Sequence, residues 1–159
     1  YNPVYRYGVE KFCADAAEAG VDGLLLVDVP PEEETELTPH LKKHELDLIR
    51  LVTPTTPPDR IRMITKHAGG FIYYVSVKGI TGGKSAGSTE LTESVAAIKQ
   101  ITSLPVAVGF GIKTPAQAAE TAKSADAVVV GSVLVQTLYE QGVEAALTLA
   151  KELADAVKS

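Results

Sequence analysis

The sequence predicts an α/β fold in which strands and helices alternate along the chain. Short apolar runs with the length of buried strands begin near residues 24, 48, 71, 106 and 127, and stretches with helical periodicity lie between them. These runs carry apolar residues for both faces, as parallel strands covered by helices do. Binding sites in such folds form at the carboxyl ends of the strands. The residues that follow each run are therefore the candidates for chemistry.

Composition and charge restrict the classes of function. Residues 1–159 are expected to form one domain with a sizeable core, because 45% of them are hydrophobic. The formal charge of −5 argues against a nucleic-acid partner, and the apolar runs are shorter than the roughly 18 residues of a membrane helix, so no membrane association is expected. A single Cys13 excludes an internal disulfide and fits a reducing, cytoplasmic location. The first residue is Tyr1 rather than Met, which hints that the chain begins part-way through a longer protein.

The first half of the chain is expected to open with a loop at residues 1–4 and then to alternate helix and strand. The consecutive glutamates at residues 32–34 follow two prolines and are interpreted as a solvated turn rather than as a metal site. Thr56, Pro57 and Asp59 have the order of an N-cap, a first helical residue and a capping-box partner. The expected elements are helices at residues 9–19, 38–44 and 57–67 and strands at residues 23–28 and 48–52.

The second half of the chain contains two consecutive units in which a β-branched run ends in glycine and a helix follows. After Gly111, Thr114 is expected to cap a helix and Gln117 to complete a capping box. After Gly131 the chain is expected to enter a helix directly at Ser132. The other expected elements are a strand at residues 71–75, a long loop at 76–88, and helices at 89–102, 132–139 and 143–157.

The glycines after the last two runs indicate a binding site for phosphate. A glycine at the end of a strand leaves backbone amides bare, and the helix that follows directs its positive dipole end at an anion. Such glycines are also common as simple turns, but two of these units in succession would open on the same side of a sheet. Barrels of eight βα units often bind phosphate with the loops after their last two strands, which favours a barrel over an open doubly wound sheet. The phosphate-binding half is expected within residues 76–140.

Other candidate chemistry in the sequence is weaker. Residues 109–114 lack the third glycine of a dinucleotide fingerprint, so NAD is not expected. His40 and His44 have the i, i+4 spacing of a metal pair, but surface positions explain them, since no third ligand accompanies them. Asp28 is the carboxylate best placed at the mouth of a strand, although it lacks a visible partner for acid–base catalysis. The sequence therefore predicts neither a metal nor a cofactor.

Several segments together resemble the tryptophan synthase alpha chain family. They follow the family's order with similar spacing, span nearly the whole chain, and read Tyr1-Asn2-Pro3-Val4, Val27-Asp28-Val29-Pro30, Tyr73-Tyr74-Val75-Ser76, Gly79-Ile80-Thr81-Gly82, Val108-Gly109-Phe110-Gly111-Ile112 and Val130-Gly131-Ser132. The family folds as a (β/α)₈ (TIM) barrel, so the resemblance implies that this chain supplies strands four to eight. The implied activity is the retro-aldol cleavage of indole-3-glycerol phosphate to indole and glyceraldehyde 3-phosphate in tryptophan biosynthesis. The implied partner is the PLP-dependent beta chain, in an alpha–beta–beta–alpha complex.

The resemblance also implies roles for single residues. The substrate phosphate would be bound at Gly82, Gly111, Gly131 and Ser132. The indole pocket would be lined by Leu25, Phe110 and Val129. Tyr73 would stand beside the reacting part of the substrate, and Thr81 would bond the catalytic aspartate when a mobile loop closes. The beta chain would meet the face formed by Asn2, Asp28 and Pro30.

One difference from the family affects the expected activity. The family's acid–base glutamate and aspartate belong to the second βα unit, and this chain resembles the family only from the end of the third strand onward. The chain is therefore expected either to be part of a whole barrel or to be a fragment that needs a partner. Two further readings stay open at this point: a different phosphate-binding barrel, such as an isomerase of sugar phosphates, and a phosphate-binding fragment without catalysis.

Overall fold

The computed structural model describes residues 1–76, 86–109 and 111–158, with the backbone but not the side chains of residues 86–88. In chain order the first elements are α1 (Asn2–Tyr7), α2 (Val9–Glu18), β1 (Gly23–Leu25), a 3₁₀ helix (Pro31–Glu36), α3 (Thr38–Lys43), β2 (Asp47–Val52) and α4 (Pro58–Thr65). They are followed by β3 (Ile72–Val75), α5 (Ala86–Lys99), β4 (Val106–Gly109), α6 (Pro115–Ala122), β5 (Ala127–Val129), α7 (Ser132–Gln141) and α8 (Val143–Lys158).

The five strands form a parallel sheet in which each strand pairs with its neighbour in sequence, in the order β1-β2-β3-β4-β5. A doubly wound sheet reverses its strand order part-way across, so that alternative is wrong. The register aligns Tyr73 with Ala107 and Gly109 with Val129, which brings the carboxyl ends of β3, β4 and β5 to one edge. This is the arrangement of part of a barrel, as the βα repeat predicted.

Alternate residues of each strand pack against the helices and form the core on the outer face of the sheet. Ile72 and Tyr74 of β3 and Val106 and Val108 of β4 are buried against helices α4 and α5. A second cluster joins Cys13 and other residues of α2 and α3 to β1 and β2, and a third joins α6, α8 and β5. The remaining strand residues face the other way, onto the inner face, where coverage is less complete. The inner-face set includes Leu25, Leu51, Tyr73, Val75 and Val129.

Several local predictions are confirmed. Thr114 caps α6 with a full capping box: its Oγ1 accepts a hydrogen bond from the Gln117 amide at 3.3 Å, and Gln117 Oε1 accepts from the Thr114 amide at 3.3 Å. Helix α7 starts at Ser132 directly after Gly131, as expected. Such agreement is greatest where the signal is local, because a cap is made by residues three apart.

Other local predictions are wrong. The loop expected at residues 1–4 is instead the start of α1, since proline is well tolerated in the first turn of a helix. Thr56 does not cap α4, which begins at Pro58 after Pro57; its Oγ1 accepts a hydrogen bond from the Thr53 amide at 3.1 Å within the preceding turn. The first strand ends at Leu25 rather than at residue 28, because the chain turns at residues 27–28.

The interpretation of residues 32–34 as a wholly solvated turn is also wrong. These residues form part of the 3₁₀ helix, and Glu34 is only 5% exposed, whereas Glu32 and Glu33 face solvent. The buried carboxylate pairs with Arg50 of β2. Burial of a charge in this way requires an opposite charge from another element, and that partner lies far away in the sequence.

Candidate functional site

The start of α7 provides an open place for an anion at the carboxyl end of β5. Gly131 precedes the helix, and among the described residues no side chain caps it. The first intrahelical bonds run from Leu134 and Val135 to the Gly131 carbonyl, at 2.9 and 3.1 Å, so the amides of Ser132 and Val133 lie ahead of them. Gly131 and Ser132 are exposed, and a Cβ added at Gly131 would have no described atom within 4 Å. A helix dipole directed at this opening, with two amides that precede the first intrahelical bonds of the described residues, fits phosphate.

The start of α6 differs from that of α7, although the two units share a sequence pattern. Gln117 Oε1 accepts hydrogen bonds from the amides of Lys113, at 2.8 Å, and of Thr114. A side chain of α6 therefore satisfies the two amides that directly precede the helix. Gly111 stands before it with a φ of +73°, a backbone conformation that glycine adopts without strain, and is exposed. The contribution of this unit to an anion site is thus limited to the turn at Gly111 itself.

Tyr73 lies on the inner face close to the end of β4. A Cβ added at Gly109 would overlap the phenol oxygen of Tyr73 and would come within 3.0 Å of Val129 Cβ. Gly109 therefore leaves the space that the Tyr73 ring occupies, and Tyr73, Gly109 and Val129 form one continuous surface. In the sequence, Gly109 stands out only as the first glycine of residues 109–114, which lack a dinucleotide fingerprint. Its position at the end of a strand, facing a tyrosine one strand away, is the signal that could have indicated this role.

Two of the three residues expected to line an indole pocket share a face of the sheet but lie on separate strands. Leu25 and Val129 both point to the inner face, but they belong to β1 and β5, the two outermost strands of the described sheet. Leu25 is 41% exposed there, an unusual value for a leucine at the end of a strand. Phe110, the third of these residues, lies outside the described part of the chain. So do Thr81 and Gly82 and the glycine-rich loop around them.

The three residues expected to meet a partner lie at the same end of the molecule. The backbone nitrogen of Tyr1 lies 2.6 Å from Asp28 Oδ1, which brings the start of α1, with Asn2, to the loop after β1. The Asp28 side chain is exposed. Asn2 and Pro30 are exposed as well. Together these three residues form an exposed surface with one charged, one polar and one apolar side chain.

Two other kinds of functional feature, a metal site and a membrane-spanning helix, are absent from the described residues. In residues 1–76, 86–109 and 111–158, no three His, Cys, Asp or Glu side chains are grouped so as to hold a metal ion. Over the same described ranges, no helix has the length and apolar character needed to cross a membrane. The features that stand out are therefore the open start of α7 and the inner face with Tyr73.

Comparison with known proteins identifies the family. The sequence profile described as "Tryptophan synthase alpha chain" matches residues 1–158. The chain belongs to the tryptophan synthase alpha chain family. It is 51% identical over 137 residues to the tryptophan synthase alpha chain of Acidiphilium cryptum, which covers 86% of this chain and 50% of that protein. It is 53% identical over 139 residues to that of Gluconacetobacter diazotrophicus, covering 87% and 51%.

Solved structures of tryptophan synthase alpha chains have the same fold. The Mycobacterium tuberculosis tryptophan synthase structure in space group F222 superimposes with a TM-score of 0.89 at 40% identity, over 100% of this chain and 60% of that one. The Campylobacter jejuni alpha subunit gives 0.89 at 35% identity, over 96% and 62%. The chain spans about half the length of the Acidiphilium and Gluconacetobacter relatives and about three fifths of these two solved chains. Its five strands correspond to part of the barrel of the tryptophan synthase alpha family.

Proposed function

We propose that this chain supplies the phosphate-binding part and one wall of the indole pocket of a site that cleaves indole-3-glycerol phosphate. The observation that supports the proposal is the uncapped start of α7, open to solvent next to an inner face that carries Tyr73. The family suggests the reaction, and the start of α7 and the inner face would receive the two ends of such a substrate. A free phosphate would meet the amides of Ser132 and Val133, and an apolar ring would lie against Leu25, Phe110 and Val129.

The remaining roles in this proposal follow from the chemistry of the step. Breaking the bond between the indole ring and the glycerol chain requires a base that removes a hydroxyl proton and an acid that protonates the ring carbon. The family's glutamate and aspartate do this work, and they belong to a βα unit that this chain does not span. Tyr73 would assist beside the reacting carbons, and Thr81 would hold the aspartate. Gly82, Gly111, Gly131 and the Ser132 hydroxyl would orient the phosphate, so that these carbons stay fixed.

The partner and the location are parts of the same proposal. We infer that the surface of Asn2, Asp28 and Pro30 meets the tryptophan synthase beta chain, because exposed residues from two segments come together there. A cytoplasmic location agrees with the single cysteine, which is buried and unpaired. The phosphate-binding half is proposed to lie within residues 76–140.

An indole-release assay with two proteins tests the proposal. The first is the 159-residue chain alone, and the second is this chain joined behind the part of the Acidiphilium cryptum alpha chain that lies outside their match. The joined protein should release indole from indole-3-glycerol phosphate, because it carries both carboxylates. The chain alone should bind glycerol 3-phosphate without releasing indole. A joined protein that folds but releases no indole would refute the proposed activity.

Gly131→Val in the joined protein tests the phosphate site directly. The added side chain would stand where the phosphate approaches, so we expect the KM for indole-3-glycerol phosphate to rise by at least about tenfold. Folding should be preserved, since no described atom lies within 4 Å of the new Cβ. Gln136→Val, which places the same side chain on an exposed later turn of α7, is the matched control. Equal KM values for the two variants would remove the start of α7 from the site.

A further inference from the structure

Arg50 is the most deeply buried charged side chain of the described residues, and the proposed reaction does not use it. It is 3% exposed and lies in the outward-facing row of β2, between Leu48 and Val52. An arginine in this position loses its hydration, and an apolar side chain of similar size often stabilises a core at least as well. Burial accordingly lowers the pKa of the Arg50 guanidinium, although it stays protonated at neutral pH. A role other than packing is therefore worth seeking.

The guanidinium contacts two other parts of the chain directly and a third through its carboxylate partner. Its Nη1 donates a hydrogen bond to the carbonyl of Val29, in the loop after β1, at 2.6 Å. Its Nη2 pairs with the carboxylate of Glu34 in the 3₁₀ helix. The other oxygen of that carboxylate bonds His67 Nδ1, just beyond the end of α4, at 2.5 Å. The resulting Arg50 cluster, consisting of Arg50, Glu34 and His67, ties the loop after β1 to the second strand and to the end of α4.

The Val29 carbonyl lies between the two residues of this loop that face outward. Asp28 has a side chain that is 63% exposed and Pro30 is exposed, whereas the Val29 side chain is buried in the core of the first two strands. The Val29 side chain holds the loop by apolar contacts, which have no preferred direction. The charge-assisted hydrogen bond from Arg50 to the Val29 carbonyl fixes the direction of the backbone. The bond from Arg50 reaches this loop from another strand and holds its backbone at Val29. It sets how Asp28 and Pro30 are presented.

We propose that the Arg50 cluster positions this loop for binding of the beta chain. The inference rests on the proposed function, in which the surface of Asn2, Asp28 and Pro30 meets that partner. A loop held in its bound conformation loses less entropy on association, so the cluster raises affinity without touching the partner. Arg50, Glu34 and His67 are positioning residues in this sense.

Arg50→Met in the joined protein tests the inference, because methionine keeps most of the side-chain length and removes the charge and the donors. We expect affinity for the Acidiphilium cryptum beta chain, measured by titration calorimetry, to fall about tenfold. Backbone amides of residues 26–29 should exchange hydrogen at least about tenfold faster, while those of β3 and β4 keep their rates. The KM for indole-3-glycerol phosphate in the absence of the beta chain should stay within twofold.

Arg60→Met is the matched control. Arg60 of α4 pairs with Glu32 of the same 3₁₀ helix, but both side chains are partly exposed, at 35% and 51%. Its loss should leave beta-chain affinity and loop exchange within twofold, as surface pairs contribute little. Glu34→Gln keeps the shape and removes the charge, and it provides a milder variant should Arg50→Met fail to fold; its loop should also exchange faster.

The outcomes separate the inference from the proposed function. Failure of the unaltered joined protein to bind the beta chain would refute the proposed partner. Binding by the unaltered protein, with equal affinity and equal loop exchange in the Arg50→Met and Glu34→Gln variants, would overturn the positioning role alone. A uniform rise of exchange over the whole sheet would also overturn it, because the cluster would then be only a structural ion pair.

Discussion

The outer face of the sheet and its inner face are built from alternate residues of the same strands, yet they differ in how completely they are covered. On the outer face Ile72 is fully buried beneath helices α4 and α5, and the charged Arg50 is buried with its partners. On the inner face Leu25 is 41% exposed and Tyr73 is half-buried. The outer face is covered by the helices that follow each strand. The inner face of a barrel is covered only by side chains of strands from across the barrel.

Because of this difference, alternate residues of one strand serve stability on the outer face and ligand binding on the inner face. A residue that packs against a helix contributes to the core whether or not a ligand is present. A residue on the inner face, such as Tyr73, has room beside it, and the room is what a substrate needs. The comparison therefore predicts which substitutions alter unfolding and which alter binding.

The largest expected effect is on stability and comes from the outer face. Ile72→Ala should lower the free energy of unfolding by about 2–5 kcal/mol, because it leaves a cavity between β3 and two helices that cannot close around it. Leu25→Ala removes a side chain of the same size from the inner face and should cost about 1 kcal/mol or less, since much of Leu25 is already in contact with water. Urea unfolding of both variants measures the difference. Equal losses would show that the inner face is packed as tightly as the outer one.

A smaller effect on stability is expected at Gly109, which contacts the proposed binding residue Tyr73 and also ends a buried strand. Gly109→Ala adds one methyl group that overlaps the Tyr73 phenol oxygen, so it should destabilise the chain by about 1–3 kcal/mol and displace the ring. Removing that oxygen with Tyr73→Phe should recover part of the loss, and a double-mutant cycle should give a coupling of about 1 kcal/mol. Ala127→Gly, at the far end of the neighbouring strand, controls for a change of one methyl group. Additive effects of Gly109→Ala and Tyr73→Phe would mean that the two residues do not share the space.

The sequence was most informative where the determining residues are neighbours. The βα repeat, the parallel order and the capping box of Thr114 and Gln117 depend on residues a few positions apart, and all are confirmed. Burial of Glu34 and the space beside Gly109 depend instead on Arg50 and Tyr73, which come from other strands. Neither pairing has a local periodicity, so neither could be predicted without the register of the sheet.

The contrast between α6 and α7 shows the same limit within the candidate site. Both helices follow a strand and a glycine, and the pattern predicted an anion site at both. The capping box was recognised in the sequence, but its consequence was not: a helix that binds its own first amides has fewer to offer a ligand. Gly131 and Ser132 therefore remain the stronger part of the proposed phosphate site, and Gly111 the weaker.

The smallest expected effect is at the amino ends of the strands, on the side of the sheet opposite the candidate site. Asp126, just before β5, accepts hydrogen bonds from Lys99 of α5 at 2.6 Å and from the Val106 amide at 2.9 Å. These bonds lower the pKa of the Asp126 carboxyl, so its contribution to stability is present above the pKa of an unfolded aspartate and is lost as pH falls through the lowered value. Asp126→Asn should therefore lower the free energy of unfolding by up to about 1 kcal/mol at pH 7, and the difference from the unaltered chain should shrink as pH falls below about 4.

Asp59→Asn, at the exposed pair with Arg62, is the control for loss of one carboxylate. Because Asp126 acts on the strands and the helix layer, glycerol 3-phosphate affinity should not change. An Asp126→Asn variant with weaker ligand binding at unchanged stability would contradict the separation between residues that stabilise the sheet and residues that bind the ligand.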